Sequence, residues 1–424
     1  MQEFTSFPVK DPALFKKQVL QWASSFQVFQ CFDSNKNPYF QDKFEFALAV
    51  DAISEIKLYQ EERQFDLLQE FQTKSNSIIF GYLSYDLKNQ IENLESNNVD
   101  ELNFPSLYFF QARYFIELKD GKCHINRPSL EAIYIFEQII SQKSPEFAPN
   151  YLEWQSRISK EAYMEKIASI QARIKEGDVY EVNLCREIYA KNADLDPIPA
   201  FIKINEKAQA PFSALLKLNQ NYVLSFSPER FMRLKANKML SQPIKGTKAK
   251  GANQADNENL KLSLLQDEKE RAENVMIVDL VRNDFARSAV PGSVKVDELF
   301  GIYEFENIIQ MISSISAIKK PEIAPIDALK SAFPMGSMTG APKIKAMEII
   351  EELELSKRAV YSGALGYIEE DGSFDFSVLI RSLMYDADKQ FLSLHVGGAI
   401  TIDSVPEKEW EETELKAKSI LQYL

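Results

Sequence analysis

The sequence predicts a protein of the α/β or α+β class with a strand-rich body. Hydrophobic residues make up 45% of the 424 residues and aromatic residues 12%, which is enough apolar material for a substantial core. Short strand-like runs separated by polar loops fill residues 1–140. Amphipathic helix patterns alternate with strands after them. A chain of this length is expected to form two domains or one large interwoven domain.

The N-terminal region, residues 1–140, is predicted to contain two clear strands, Ser77–Leu87 and Ser106–Leu118. The segment Ser141–Asn150 has two prolines and little apolar content, so we interpret it as a linker. Residues 151–424 then form the second region. Its first helix is predicted to start at Ser159 as N-cap and to end at Gly177.

The strand that follows, "VYEVNLCREIYA", alternates apolar and polar residues, so its polar side chains share one face. These are Glu181, Asn183 and Glu187. A polar face of this kind is more often exposed to solvent, but it can also form the floor of a site.

The later elements continue the mixture of helices and strands. They are a strand–turn stretch in "YVLSFSPERFMRL", a long helix from about Glu258 to Asp284, a helix after "GSMTGAP", strands at Ala364–Ile368, Phe376–Met384 and Phe391–Val396, and a last helix opening at "DSVPEKEWEE", where Ser404 and Glu407 fit a capping box.

The formal net charge of −13 argues against a nucleic-acid partner, which would need basic surface to displace counterions. An anionic small substrate remains possible because local cations can outweigh the global charge. We expect neither a secretory signal nor a membrane span. Cys31, Cys123 and Cys185 are far apart in sequence, which fits a reducing, cytoplasmic compartment better than disulfides or a thiolate zinc site.

Two pairs of glutamates have helical i, i+3 spacing: Glu270 with Glu273, and Glu409 with Glu412. Lys416 follows one turn after the second pair. Like charges on one helix face repel, and a hard cation such as Mg²⁺ would offset that repulsion. Ordinary solvated acidic faces are the commoner origin of such spacing, and spacing alone does not separate the two.

Two glycine-containing segments could bring backbone close to a ligand. In "LHVGGAITI", Gly397 and Gly398 lie in or at the end of a strand, where a β-bulge is the commoner explanation. In "FPMGSMTGAPKIK", Ser337 and Thr339 precede a helix. This position suits either an anion site or a simple N-cap loop.

Three charged residues stand in unusual surroundings. Arg381 lies in the apolar run "FSVLIRSLM" and needs a carboxylate partner, either internal, which is the safer default, or on a ligand. Lys245 lies in the turn "QPIKGTKAKG", and Glu229 lies sixteen residues before it in "FSPERF". If their strands are neighbours, the pair can act as nucleophile and acid. Otherwise they are an exposed turn glutamate and a surface lysine beside the solvated Lys248 and Lys250.

Taken together, these segments resemble the chorismate-utilising family. The motifs that carry the resemblance are, in order, "GDVYEVNLCREI", "SFSPERF", "QPIKGTKAKG", "DEKERAENVMIVDLVRND", "VPGSVKV", "FPMGSMTGAPK", "YSGALGY" and "VGGAITIDSVPEKEWEETELKAKSIL". They extend from about Ser159 to Leu421. The resemblance implies the α+β fold of anthranilate synthase component I, with two apposed β-sheets flanked by helices and the site between them.

The resemblance also implies residue roles toward the dianion chorismate. Glu273 and Glu412 would hold Mg²⁺, which binds the ring carboxylate, and Glu270 and Glu409 would act on it through water. The residues implied to bind the substrate or lie beside it are Tyr361, Arg381, Gly397, Gly398, Ala399, Ser337, Thr247 and Lys416.

Two positions separate the members of the family. Isochorismate and salicylate synthases carry a lysine base where this chain has Glu181, and anthranilate synthase has alanine where this chain has Lys245. Lysine in that turn resembles aminodeoxychorismate synthase component I. There the neutral amine, favoured by Mg²⁺, attacks ring C2 while an acid, here Glu229, protonates the departing C4 hydroxyl. Ammonia then enters at C4 and expels the lysine, giving 4-amino-4-deoxychorismate, a precursor of 4-aminobenzoate and folate.

Ammonia would come from a separate glutaminase subunit, because the chain has no Gly-x-Cys-x-Gly nucleophile loop. Elimination of pyruvate from the product is expected to be done by another protein. The alternatives are anthranilate synthase component I and a non-catalytic chorismate-binding paralogue.

Three features depart from the family pattern. Gln310 stands where most relatives have histidine, and Glu181 replaces the glutamine usual in amidating members. The segment Val28–Lys36 lacks the Leu-Leu-Glu-Ser pattern of tryptophan-inhibited relatives. Feedback by tryptophan is therefore not expected, although the sequence leaves open a structural tryptophan pocket involving Pro211–Ala214.

Overall fold

The computed structural model describes residues 4–40, 43–149 and 151–424. In this part of the chain the helices α1–α10 are Pro12–Ala23, Gln64–Lys74, Ser129–Ile140, Lys160–Glu176, Pro197–Ala208, Gln254–Gln266, Glu268–Ser288, Pro325–Ala332, Lys343–Leu353 and Pro406–Leu421. Two 3-10 helices lie at Tyr85–Gln90 and Gly336–Met338.

The strands β1–β20 of the same residues are Thr5–Pro8, Val28–Asp33, Phe46–Leu58, Ile79–Leu83, Leu107–Lys119, Lys122–Ile125, Trp154–Ser156, Glu181–Ala190, Phe212–Leu218, Asn221–Ser227, Arg230–Lys235, Lys238–Gln242, Ile244–Ala249, Lys295–Glu304, Ile308–Ile318, Gly340–Ala341, Ala364–Ile368, Phe374–Val378, Ser382–Asp386 and Phe391–Ile400.

The strands form one continuous antiparallel ladder. Its spatial order is β15–β12–β11–β18–β17–β4–β5–β3–β2–β9–β10–β19–β20–β8. At one end β13 and β14 also pair with β15, and at the other end β7 and β16 pair with β8. The pairs β2–β9 and β4–β17 join strands from both sides of residues 141–149, which contain neither helix nor strand. The rest of the predicted linker, Asn150, lies outside the described residues.

The two halves of the ladder share a core. Met232 and Phe376 from one half and Leu216 and Met384 from the other belong to one buried apolar cluster. Helices α2, α7 and α8 add side chains to this cluster, whereas α1, α3, α5 and α10 cover the opposite face of the β2–β8 half in a second cluster. The predicted α+β fold with apposed sheet layers between helices is therefore confirmed.

Local sequence patterns account for several elements. In α4 the Ser159 side chain accepts the Ala162 N–H, and Gly177 ends the helix with φ of 87°, as predicted. The stripe of α9, which includes Ala346 and Ile350, is buried against α4 and β8. The strand predicted at Ser106–Leu118 is β5.

Two helix predictions were wrong in detail. The long helix is broken into α6 and α7 at Asp267, whose side chain accepts the Glu270 N–H and starts the second helix. The capping box on the last helix is absent, because Ser404 donates its hydroxyl to Glu409 Oε1 at 2.7 Å instead of capping the backbone.

Two predicted strands also end early. The strand at Ser77–Leu87 stops at Leu83, after which Ser84 caps a 3-10 helix. The strand at Phe376–Met384 is interrupted between β18 and β19, where Arg381 adopts a φ of 50°. Across the described part of the chain, no helix combines the length and apolarity that crossing a membrane requires.

A buried ion pair between Glu354 and Arg358 ties three segments together. The Arg358 guanidinium contacts both Glu354 carboxylate oxygens at 2.9 and 2.7 Å, and it also donates to the carbonyls of Met338 and Asn183 at 2.7 and 2.8 Å. Glu354 Oε1 in turn accepts the Cys185 N–H at 2.8 Å. The pair therefore fixes β8 and the Gly336–Met338 turn relative to α9.

We predict that Arg358→Leu lowers the free energy of unfolding by about 3–5 kcal/mol, because it leaves the Glu354 carboxylate buried without its cation. Urea denaturation measures the change. Arg282→Leu is the control, since Arg282 pairs with Asp279 on the surface and exposed pairs contribute about 0–1 kcal/mol. Equal losses in the two variants would contradict the assigned importance of the buried pair.

Candidate active site

Lys245 lies in a β-bulge of β13. Ile244 pairs with Ile312 and Thr247 with Gln310, so one extra residue stands between the two pairs. Gly246 supplies the left-handed backbone this requires, with φ of 87°. A bulge re-aims side chains, and here Lys245 turns inward, so that its side chain is only 12% exposed.

The Lys245 ammonium lies between two carboxylates. Its Nζ donates to Glu181 Oε1 at 2.9 Å and is 3.9 Å from Glu273 Oε2. Lys245 is therefore a site residue, and the alternative of a surface lysine is wrong. Lys248 and Lys250, expected to be surface charges, are partly exposed and contact Ser263 and Glu304.

Burial by itself would lower the pKa of Lys245, but the carboxylates of Glu181 and Glu273 outweigh it and the net shift is upward. The surrounding carboxylates therefore favour the protonated amine. The prediction of a neutral amine refers to the site with Mg²⁺ bound and stays a prediction; in either case a proton must leave before the nitrogen can attack a carbon.

The polar face of β8 contributes Glu181 to this site. Glu181, Asn183 and Glu187 are all buried, so the interpretation as a solvent face is wrong. The opposite face carries Val182 and Leu184, which pack against α4 and α9. Both faces of β8 are thus covered, and the face with carboxylates turns toward Lys245.

Glu229 is buried in the turn between β10 and β11, not exposed as the simpler interpretation held. Its Oε1 accepts a hydrogen bond from Ser337 Oγ at 2.7 Å. Burial raises the pKa of Glu229 to about 7, against the opposing effects of the Ser337 hydroxyl and the Lys245 charge. A carboxyl that is protonated near neutral pH can act as a general acid.

The two predicted glutamate pairs face each other from α7 and α10. Lys269 Nζ is 3.6 Å from Glu273 Oε1 and 3.6 Å from Glu409 Oε1. A Cβ added at Gly398 would lie 3.3 Å from Glu409 Oε2 and 3.6 Å from Glu412 Oε1, so these carboxylates surround one place beside β20. Burial raises the pKa of Glu273 to about 7 and, together with the Asp267 and Glu412 carboxylates, also raises that of Glu270.

This donor set fits Mg²⁺. The ion prefers carboxylate oxygens and usually takes one or two of them, completing its coordination with water and substrate oxygens. Among the described residues, no three acidic, histidine or cysteine side chains are close enough to hold an ion by themselves. That is compatible with an ion that needs substrate to complete its shell.

Arg381 has no internal ion pair. Within the residues that the structure describes, its guanidinium has neither a hydrogen bond nor an ionic partner, so the expected internal pair is wrong. Burial lowers the pKa of the group. It borders a cavity of ≈ 180 Å³ that Phe226, Pro228 and Gln310 also line. A half-buried guanidinium beside a cavity is suited to binding a ligand carboxylate.

The other predicted substrate residues lie around the same strands. Gly397, Gly398 and Ala399 are on β20, paired with β8. Lys416 donates its ammonium to the Gly397 carbonyl at 2.6 Å and contacts Glu412 at 2.7 Å.

Tyr361 and Thr247 complete the predicted set. Tyr361 is buried, stacks on His395 with ring centroids 5.3 Å apart and reaches Cys185 Sγ with its hydroxyl. Thr247 is exposed and accepts a hydrogen bond from Gln310 Nε2 at 3.3 Å, so it lies at the edge of the group.

Sequence reasoning missed two residues as site components. Glu181 was expected to add a negative charge near the site but not to contact Lys245, and Lys269 was not singled out. The sequence feature that indicates Glu181 is the alternation of polar and apolar residues in its strand. The feature that indicates Lys269 is its position four residues before Glu273 on the same helix. Of the segment Pro211–Ala214, left open as a tryptophan pocket, Pro211, Phe212 and Ser213 line a cavity of ≈ 50 Å³ with Phe44 and Asp375.

A model of chorismate binding enzymes matches residues 19–422 of the chain. The chain belongs to the chorismate binding enzyme family. Within the family it is 42% identical over 272 residues to aminodeoxychorismate synthase component 1 of Escherichia coli (strain K12), covering 64% of this chain and 59% of that protein. It thus spans less than two thirds of that relative's length.

Two further family members support the comparison. Aminodeoxychorismate synthase component 1 of Salmonella typhimurium is 37% identical over 348 residues, covering 81% of this chain and 76% of that protein. The crystal structure of anthranilate synthase component I from Streptococcus pneumoniae TIGR4 superposes with a TM-score of 0.80 at 25% identity, covering 88% of this chain and 91% of the other.

We predict that Glu229→Gln becomes progressively stabilising relative to the native protein as pH rises from 5.5 to 7. The pKa of Glu229 is about 7 in the folded protein, against the ordinary glutamate value of 4.5 in the unfolded chain. Across this window the unfolded chain has already released the Glu229 proton, whereas the folded protein still binds at least half of it, so the native protein loses about 1.5 kcal/mol of stability as the pH rises. Urea denaturation at pH 5.5, 6.2 and 7 measures the difference, and a pH-independent difference would contradict it.

Proposed function

We propose that this protein converts chorismate and ammonia to 4-amino-4-deoxychorismate, the reaction of an aminodeoxychorismate synthase component I. The observation that carries the proposal is the inward-facing Lys245, held at 2.9 Å by Glu181 while its charge acts on the buried acid Glu229. The relatives at 37–42% identity that carry this name support it.

In the proposed reaction the side chains have separate tasks. Lys245, once neutral, attacks ring C2, and Glu229 protonates the departing C4 hydroxyl, which leaves as water. Because Ser337 donates to Glu229 Oε1, the acid's proton belongs on Oε2. Ammonia then forms its bond at C4 and expels the lysine amine from C2.

Substrate binding in the proposal uses the two carboxylates of chorismate. Glu273 and Glu412 would hold Mg²⁺, with Glu270 and Glu409 acting through water, and the ion would bind the ring carboxylate. Arg381, which has no internal ionic partner, would bind the enolpyruvyl carboxylate. The positive charges of Mg²⁺ and Arg381 would attract the substrate dianion despite the glutamates around the site.

Ammonia would be supplied by a separate glutaminase subunit, as the words "component 1" in the relatives' names suggest. A cytoplasmic setting belongs to the same proposal, since all three cysteines are free and buried. Lys245 disfavours anthranilate synthesis, and the assembled lysine and acid disfavour a binding-only protein.

The decisive assay incubates the protein with chorismate, Mg²⁺ and ammonium, with and without an added aminodeoxychorismate lyase. We expect 4-aminobenzoate only when the lyase is present, and none when EDTA replaces Mg²⁺. Anthranilate as the product would identify the protein as an anthranilate synthase component, and unchanged chorismate would indicate a protein that only binds chorismate. Turnover that persists in EDTA would remove Mg²⁺ from the proposal.

A second prediction concerns the nucleophile. Lys245→Ala is expected to lose at least 100-fold in lyase-coupled turnover and to form no covalent adduct, measured by intact mass after mixing with chorismate and Mg²⁺ without ammonia. Lys248→Ala, on the same strand, is the matched control and should behave like the native protein. Full turnover by Lys245→Ala would exclude the covalent route.

A further inference from the structure

The contact between Lys245 and Glu181 joins the two ends of the strand ladder. Lys245 is on β13 at one end and Glu181 is the first residue of β8 at the other. The Glu181 backbone is well fixed, because it pairs with Ala341 of β16 and β8 also pairs with β20. Gly340 packs so closely that an added Cβ would collide with the Glu181 carbonyl. Glu181 is therefore a rigid point from which to hold a mobile side chain.

The Lys245 side chain needs a fixed hydrogen-bond partner to hold its amine in one direction. Its four-carbon chain carries about 2 kcal/mol of rotamer entropy, and the bulge around it removes the neighbouring ladder pairing. Attack on carbon requires the reacting atoms to be held about 3–3.5 Å apart in the right direction. The other contact, to Glu273, is longer at 3.9 Å, and Glu273 is the carboxylate proposed to hold Mg²⁺.

The Glu181 carboxylate has few partners other than Lys245. It is fully buried, and among the described residues its Oε2 has no hydrogen-bond partner. Among the described residues, the Glu181 carboxylate therefore accepts its side-chain hydrogen bond from Lys245 Nζ, at Oε1. A buried carboxylate with so few partners is costly, which a role toward Lys245 explains.

We infer that Glu181 is a positioning residue: its Oε1 accepts one N–H of Lys245 and aims the amine at the carbon it attacks. The inference rests on the proposed function. It assigns the task to hydrogen-bond acceptance, which a glutamine amide oxygen can also perform.

The test compares Glu181→Leu, which removes the acceptor at similar volume, with Glu181→Gln, which retains it. Lyase-coupled kcat and KM for chorismate are measured, together with adduct formation by intact mass. We expect Glu181→Leu to lose at least 100-fold in kcat with KM for chorismate within about threefold, because misaiming by about 1 Å costs about 10²-fold. Glu181→Gln should recover kcat to within about tenfold of the native value.

Tyr180→Leu, at the exposed neighbouring residue, is the control for changes to this end of the strand, and thermal unfolding checks that each variant is folded. Native-like kcat in Glu181→Leu would overturn the inference. Equal losses in the leucine and glutamine variants would also overturn it, since charge would then matter and not hydrogen-bond acceptance. Either outcome would contradict only the role of Glu181, and the proposed function would still hold if native protein and Lys245→Ala differ in turnover as predicted. Failure of the native protein to make 4-aminobenzoate with lyase would remove both.

Discussion

The buried pair of Glu354 and Arg358 holds the site in place. A guanidinium with both carboxylate oxygens and two carbonyls as acceptors satisfies most of its donors away from water. One of those carbonyls belongs to Asn183, two residues from Glu181, and the other to Met338, next to Ser337. The same ion pair thus fixes the strand whose Glu181 contacts Lys245 and the turn whose Ser337 donates to Glu229. The partners of the proposed nucleophile and of the proposed acid are therefore held in fixed positions relative to each other.

The charge of the site follows from this arrangement. Six carboxylates lie around the lysines Lys245, Lys269 and Lys416: those of Glu181, Glu229, Glu270, Glu273, Glu409 and Glu412. Burial raises the pKa of Glu229 and Glu273 to about 7, and at Glu273 the neighbouring carboxylates add to the effect, so protonation near neutral pH removes part of this negative charge. A cation that replaced those protons at Glu273 would let the site accept a dianion, whereas Glu229 can keep its proton for transfer.

Sequence patterns predicted what local physics determines. Ser159 and Gly177 bound α4 because capping acts within one helix turn, and the ordered motifs were sufficient for the family and its fold. Contacts distant in sequence were beyond such patterns. Glu181 and Lys245 are 64 residues apart and Glu229 and Ser337 are 108 apart, so only the complete fold brings them together. Arg381 was misjudged because a strand-like run concealed a residue with positive φ.

The bulge of β13 explains why a lysine there can be a nucleophile at all. In a regular strand, Lys245 and Thr247 would point to the same face and share one environment. The extra residue and the left-handed Gly246 separate them, so that Lys245 turns inward while Thr247 remains exposed beside Gln310. Without ladder pairing at the bulge, the direction of Lys245 depends on its side-chain contacts. The geometry of β13 therefore makes the residue opposite Lys245, Glu181, a determinant of where the amine points.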